Sequence, residues 1–175
     1  MVTLSGIAAP QVLAAVDEFR TAGAVRYLTT RLARARMEAA LRSTDVALRF
    51  TTDASGDSFA VYVDGNNDGV QTVEIQQGVD WQLMPAEHLH DNFSGVAFAV
   101  PAGLPAVDSG APTDGDALKL GAGNLLSFSA LGTSSSGSLY IRGRNGAQYV
   151  VRIYGQSGKA RALKYDPRGR RWNPL

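Results

Sequence analysis

The 175 residues are enough for one domain with a hydrophobic core, with or without a helical stem. Hydrophobic residues make up 45% and charged residues 19%, which excludes a disordered chain and a polytopic membrane protein, and the absence of cysteine excludes disulfides, thiolate zinc sites and a cysteine nucleophile. The net charge of +1 is an average over segregated regions: residues 1–50 carry seven Arg against four acids, residues 51–139 one Lys against eleven acids, and residues 140–175 nine Lys/Arg against Asp166 alone.

Such segregation points to complementary contacts between copies of the protein or to a polyanion at the basic tail. At the front, the apolar run from Val2 to Val16 falls short of the roughly 20 residues that span a bilayer, and it contains Pro10. It also lacks the basic n-region of a secretory signal, so the sequence as written reads as soluble. From Gln11 to Arg42 a long amphipathic helix is expected, with Val12, Val16, Phe19, Leu28, Leu32, Ala35 and Ala39 forming one apolar stripe. Pro10 sits near its start, and Gly23 is a point where it would loosen.

After Ser43-Thr44 the period changes to two, and Val46, Leu48 and Phe50 mark a strand. Further strands are expected at 58–63, 70–76, 79–84, 94–100, 125–131, 138–142, 147–154 and 160–165, all bounded by turn residues and spaced for antiparallel hairpins. Segment 101–117, with three prolines, three glycines and three aspartates, is expected to be a mobile excursion. One helix followed only by strands implies an α+β domain in which the helix packs on antiparallel sheet. The organisation expected is a helical stem over 1–42 and a β-rich head over 43–175. The later part of the helix, near Leu28, Leu32 and Ala39, would bury against the sheet, leaving the first turns uncovered and in need of a partner.

Several short patterns carry chemistry. Asp64, Asn66 and Asp68 with Gly69 imitate the start of a calcium loop, but the twelfth position is Ile75 where a bidentate Glu is needed, so a solvated hairpin turn is the stronger reading. His88 and His90 would face one way along a strand, and no third ligand is evident for zinc. No Gly-x-Ser-x-Gly elbow, P-loop or dinucleotide fingerprint is present, and neither a catalytic residue nor a cofactor is expected. The tail interleaves nine cations with Tyr140, Tyr149, Tyr154, Tyr165 and Trp172, a composition that suits nucleic acid or acidic neighbours.

The order of motifs carries a resemblance. Leu4 to Gln11 ends an apolar run in Ala-x-Pro; Leu32-Ala33-Arg34-Ala35-Arg36-Met37-Glu38-Ala39-Ala40 precedes Val46-Ala47-Leu48-Arg49-Phe50. Asp64-Gly65-Asn66-Asn67-Asp68-Gly69, then Phe128 to Gly137, then Val150-Val151-Arg152-Ile153 with Gly158-Lys159-Ala160-Arg161 complete the series. In this order the sequence resembles the GspH/FimT family of minor pseudopilins and type IV minor pilins over nearly its whole length. It departs at the front, where the family has a basic leader, a Gly-Phe-Thr-Leu-x-Glu processing site, methylated after cleavage, and a full membrane helix; here only Met1-Val2-Thr3-Leu4 stands, as in an N-terminally truncated form.

The resemblance implies a pilin-like fold and a structural, non-enzymatic subunit of a type II secretion pseudopilus or type IV pilus, in the inner membrane and periplasm. Its partners would be other pilin or pseudopilin subunits, and the inner membrane if the full N-terminus exists. Helix packing would fall to Ile7, Val12, Val16 and Phe19 in the filament and to Leu28 and Leu32 farther along. The alternative it implies is a DNA-binding minor pilin for uptake, using Lys159, Arg161, Arg168, Arg170 and Arg171.

Overall fold

The computed structural model describes residues 8–175, so Ile7 and the upstream part of the Ala-x-Pro motif lie outside the described residues. The chain folds as the α+β arrangement expected from its sequence, one long helix on antiparallel sheets. Helix α1 is described over Ala8–Arg42, with Pro10 in the first turn of the described residues. Strands β1 (Val46–Asp53) and β2 (Gly56–Val63) follow as a hairpin. Then come α2 (Thr72–Gln77), β3 (Trp81–His88), α3 (Leu89–Asn92), β4 (Ala97–Phe98) and β5 (Leu118–Lys119). The chain closes with β6 (Leu125–Phe128), β7 (Gly137–Arg142), β8 (Gln148–Tyr154), β9 (Lys159–Asp166) and β10 (Arg171–Pro174).

Two sheets result. The first has the order β3-β2-β1-β6; the second has the order β10-β9-β8-β7-β4, with β5 also on β7. Helix α1 crosses the seam, touching β1 and β6 of the first sheet and β7, β8 and β9 of the second. The face it buries is Ala22, Val25, Leu28, Leu32, Ala35 and Ala39, each at three or four residues from the next. Phe50 and Phe59 meet Phe98 edge-on at 5.6 and 6.5 Å, so aromatic packing ties the first sheet to the second beneath the helix. Tyr149 shares the helix-facing side, and burial, assisted by the Glu18 charge, pushes its phenol up to about 12, leaving it a neutral space-filler at neutral pH.

The single apolar stripe expected from the sequence is in fact two. About two and a half turns separate Phe19 from Leu28, which places them on opposite sides of the rod. Val12, Leu13, Val16 and Phe19 are exposed, whereas Leu28 and Leu32 are buried. Spacings of three and four hold within each group and fail only between them, so the two groups read as one stripe until the gap is counted.

Polar contacts fix the helix at both levels of the head. Buried Asp17 accepts the backbone N–H groups of Asn145 (3.0 Å) and Ala147 (3.3 Å) in the β7–β8 turn. A side chain on Gly143 would bring a Cβ to 2.3 Å from Thr21 Oγ1 and 2.5 Å from the Asp17 carboxylate, so this close approach requires glycine. Farther along, Arg31 pairs with Glu87 of β3 at 2.7 Å while the Tyr27 hydroxyl donates to the same carboxylate. Tyr27 and Phe93 pack beside this group at 5.7 Å.

Segment 70–76, expected as a strand, forms α2 instead, and Asp64–Gly69 is therefore not a strand-to-strand hairpin. The alternating Val and Ile residues suggest extension, but Gly78 adopts a left-handed φ of 76° and its N–H closes the helix onto Ile75, with Val79 reaching Glu74. The β2 strand pairs with β3, an edge strand whose Pro85 falls at a register shift, where no ladder bond is needed. Strand β10, absent from the expected set, pairs with β9 through Trp172 opposite Tyr165. Segment 101–117 folds back through a Pro105–Pro112 bridge onto the second sheet's outer face. Its Pro105 carbonyl accepts from Trp172 (2.8 Å) and its Val107 N–H reaches the Tyr140 hydroxyl (3.1 Å).

The two faces of α1 are expected to differ sharply under truncation. Leu32→Ala should cost about 2–5 kcal/mol, and Phe19→Ala no more than about 0.5 kcal/mol, in urea unfolding with unchanged m-values. Equal losses at the two positions would contradict the placement of the faces.

Candidate functional site

The most extended functional feature is the outer face of α1. Phe19 is 78% exposed and lies with Val12 and Val16 on a ridge that the head does not cover; Leu13 is also exposed, about a quarter turn round the helix, where its carbonyl accepts from Asn145 of the head. Met37 and Leu41 are also exposed. Phe19 and Met37 are about five full turns apart, so these later residues sit in line with the ridge along the same side of the rod. Leu28 and Leu32, named as helix-packing residues from the sequence, point the other way and are committed to the head's own core. No helix among the described residues is long and apolar enough to cross a membrane.

The five basic residues proposed for DNA do not form one patch. Lys159 and Arg161 start β9, whereas Arg168, Arg170 and Arg171 belong to the turn beyond its far end and the first residue of β10. From Arg161 to Asp166 the extended strand alone covers about 17 Å. All five are exposed. Arg161 is the cross-strand partner of Arg152, on the same outer face as Lys159 and the half-exposed Tyr154. Arg152 is anchored to Asp108 (3.2 Å) and Ser138 (2.8 Å). Lys164 alternates to the inner face and pairs with Glu18 of α1. Gly158, in the turn before β9, is held in place by close packing. With φ 58°, its backbone lies where a Cβ would come to 2.5 Å from the Gly132 carbonyl, under the Arg36 side chain.

The acidic loop is organised as a carboxylate-capped turn. Asp64 Oδ1 accepts the N–H groups of Asn66 (3.0 Å) and Asn67 (2.7 Å), and Oδ2 accepts that of Gly69 (2.8 Å). Buried Asp80, which no sequence motif singles out, does the same for Gly65 (3.1 Å) and Gln71 (2.7 Å). Asn66 donates to Glu74 at 3.0 Å. Asp64 is thus occupied by backbone donors, and the only sequence signal for this is the Asx pattern at its turn. Burial, and then the Asp64 charge, push the Asp45 carboxyl above the usual carboxylate range. The imidazoles of His88 and His90 stack at 4.9 Å, with His88 Nδ1 3.2 Å from the Asp57 carbonyl; no group of three metal-ligating side chains occurs among the described residues.

This geometry sets an expected outcome for the loop. Millimolar calcium should leave the melting temperature unchanged, while Asp64→Ala, which orphans three N–H donors, should lower stability by about 2–3 kcal/mol. A calcium-dependent rise in melting temperature that Asp64→Ala abolishes would overturn the structural reading of the loop.

No curated protein and no solved structure matches the chain. A family model described as type II transport protein GspH matches residues 24–158, from the buried part of α1 to the glycine turn that precedes β9. That match covers most of the buried face of the helix, most of both sheets and the Gly132–Gly158 contact, and by it the chain belongs to the GspH family.

Proposed function

We propose that this protein is a structural subunit of a secretion pseudopilus or type IV pilus, held among its neighbours by the outer face of α1. The observation that carries the reading is the bare ridge of Val12, Val16 and Phe19 on a helix whose opposite face is consumed by the head. A large apolar surface on a rigid rod is costly in water and gains on contact, at roughly 25 cal/mol per Å² covered. Membership of a family described by type II transport supports a place in a secretion apparatus, and the structural role follows from the surface. The helix would bring the subunit into register, and the head would face outward with segment 101–117 and the β9–β10 turn available to other partners.

The test is incorporation. Phe19→Asp leaves the core untouched, because the side chain is exposed, and it is expected to lower recovery of the subunit in assembled pili or pseudopili by at least about tenfold while the head melts as before. Parental incorporation of Phe19→Asp would sink the reading.

A second reading, DNA capture, is favoured by one observation: Arg161 and Lys159 share an outer face with Arg152 and the exposed ring of Tyr154. Cations and an aromatic face on one strand pair suit a phosphate backbone with base stacking. The expected outcome is a gel shift with duplex DNA that weakens with salt, and a salt slope that drops by about one unit for each of Lys159→Ala and Arg161→Ala. Binding that survives both substitutions, or none at low salt, would reject this surface.

A further inference from the structure

A cleft of about 420 Å³ lies at the end of the second sheet, where α1, the β7–β8 turn, the end of β9 and the start of segment 101–117 meet. That volume falls in the range of small-ligand sites. Four charged side chains line it, and three of them are already satisfied. Glu18 pairs with Lys164, and the Asp17 carboxylate holds the N–H groups of Asn145 and Ala147. The guanidinium of partly buried Arg142 has neither an ion pair nor a hydrogen bond among the described residues.

Arg142 is the direct cross-strand partner of Gln148, so the two side chains project from the same face of the sheet. Gln148 is only 5% exposed. Its Nε2 is committed to the carbonyls of Ala99 (3.1 Å), Ile141 (3.2 Å) and Tyr149 (3.3 Å), while its Oε1 has no partner. Turning the amide over would set its oxygen against those carbonyls, so the sheet itself fixes an orphan acceptor at the floor of the cleft. Such an atom is unfavourable until a donor meets it.

Apolar walls stand beside this pair. Pro101 and Leu104 form one of them, and the Leu104 carbonyl is braced by the Thr113 N–H at 2.8 Å. The ring of Tyr165, packed on Trp172 at 5.1 Å, forms another.

We infer that this cleft binds the C-terminal residue of a partner polypeptide, with its carboxylate on Arg142, its N–H toward Gln148 Oε1 and an apolar side chain between Leu104 and Tyr165. A free cation calls for an anion, an orphan acceptor for a donor, and the walls for an apolar group. A chain end carries all three within a few bonds of one another. A fatty acid or a phosphate brings the anion without the N–H donor, so the cleft favours the peptide. The residues that α1 contributes, Ala14, Asp17 and Glu18, are not those of its exposed ridge, so this inference stands apart from assembly through α1.

Three ligands are titrated into the full-length protein and followed by backbone amide NMR shifts: acetyl-Ala-Ala-Leu with a free carboxylate, the same peptide as its C-terminal amide, and octanoate. The acid is expected to bind saturably, with shifts concentrated at Gly146, Ala147 and Gln148, and the amide to bind at least about tenfold more weakly. Arg142→Ala should weaken the acid by about tenfold while melting as the parent does. Equal binding of acid and amide, or no saturable binding of the acid, would overturn the assignment on the parental protein alone, whatever the stability of the variant. Full affinity in a folded Arg142→Ala protein would also overturn it. Octanoate binding as tightly as the peptide acid would replace the chain end by an anionic amphiphile and overturn it too.

Discussion

The buried row Val25, Leu28, Leu32, Ala35 and Ala39 holds α1 across the seam between two sheets, and the placement of every other feature follows from it. Because this apolar row lies on one side of the helix and packs closely, its burial already sets which face turns inward. Polar anchors at separated levels reinforce that rotation: Asp17 on the backbone of the β7–β8 turn, and Arg31 with Tyr27 on Glu87 of β3. With the helix fixed about its axis, Val12, Val16, Phe19, Met37 and Leu41 are turned to solvent.

Buried acids hold the turns in a similar way. Asp17, Asp64 and Asp80 are buried, and each accepts backbone N–H groups from a tight turn that lacks regular partners. A carboxylate with two or three such donors is well solvated by the protein itself and closes a turn that would otherwise leave orphan amides. The acidic pattern that resembles a cation loop is therefore occupied by local structure, and exposed cations lie on β9 and the following turn and, as Arg20 and Arg26, on α1.

Much of this was legible in the sequence, for identifiable reasons. The long helix, the β1–β2 hairpin and the β7–β8–β9 meander have strong periodicity and local pairing. The order of short motifs led to the GspH family, which the match over 24–158 bears out. What was not legible depended on contacts distant in sequence or on helical phase. Thr72–Gln77 reads as a strand because Val73 and Ile75 alternate, and only the Gly78 cap shows otherwise. Strand β10 exists because Trp172 finds Tyr165 and the Pro105 carbonyl. The split of the stem into two faces was available in principle, since the gap between Phe19 and Leu28 is out of phase with a 3.6-residue repeat.

In the proposed role, the outer face of α1 is free in the isolated subunit and covered in the assembly. Thiol alkylation rates of single-cysteine variants at Val16, Phe19, Met37 and Leu41, measured in the isolated chain and in assembled pili or pseudopili, test this most directly. Fast labelling is expected at all four in the isolated chain, with protection by about tenfold or more on assembly. Unchanged labelling at all four positions in the assembled state would contradict it.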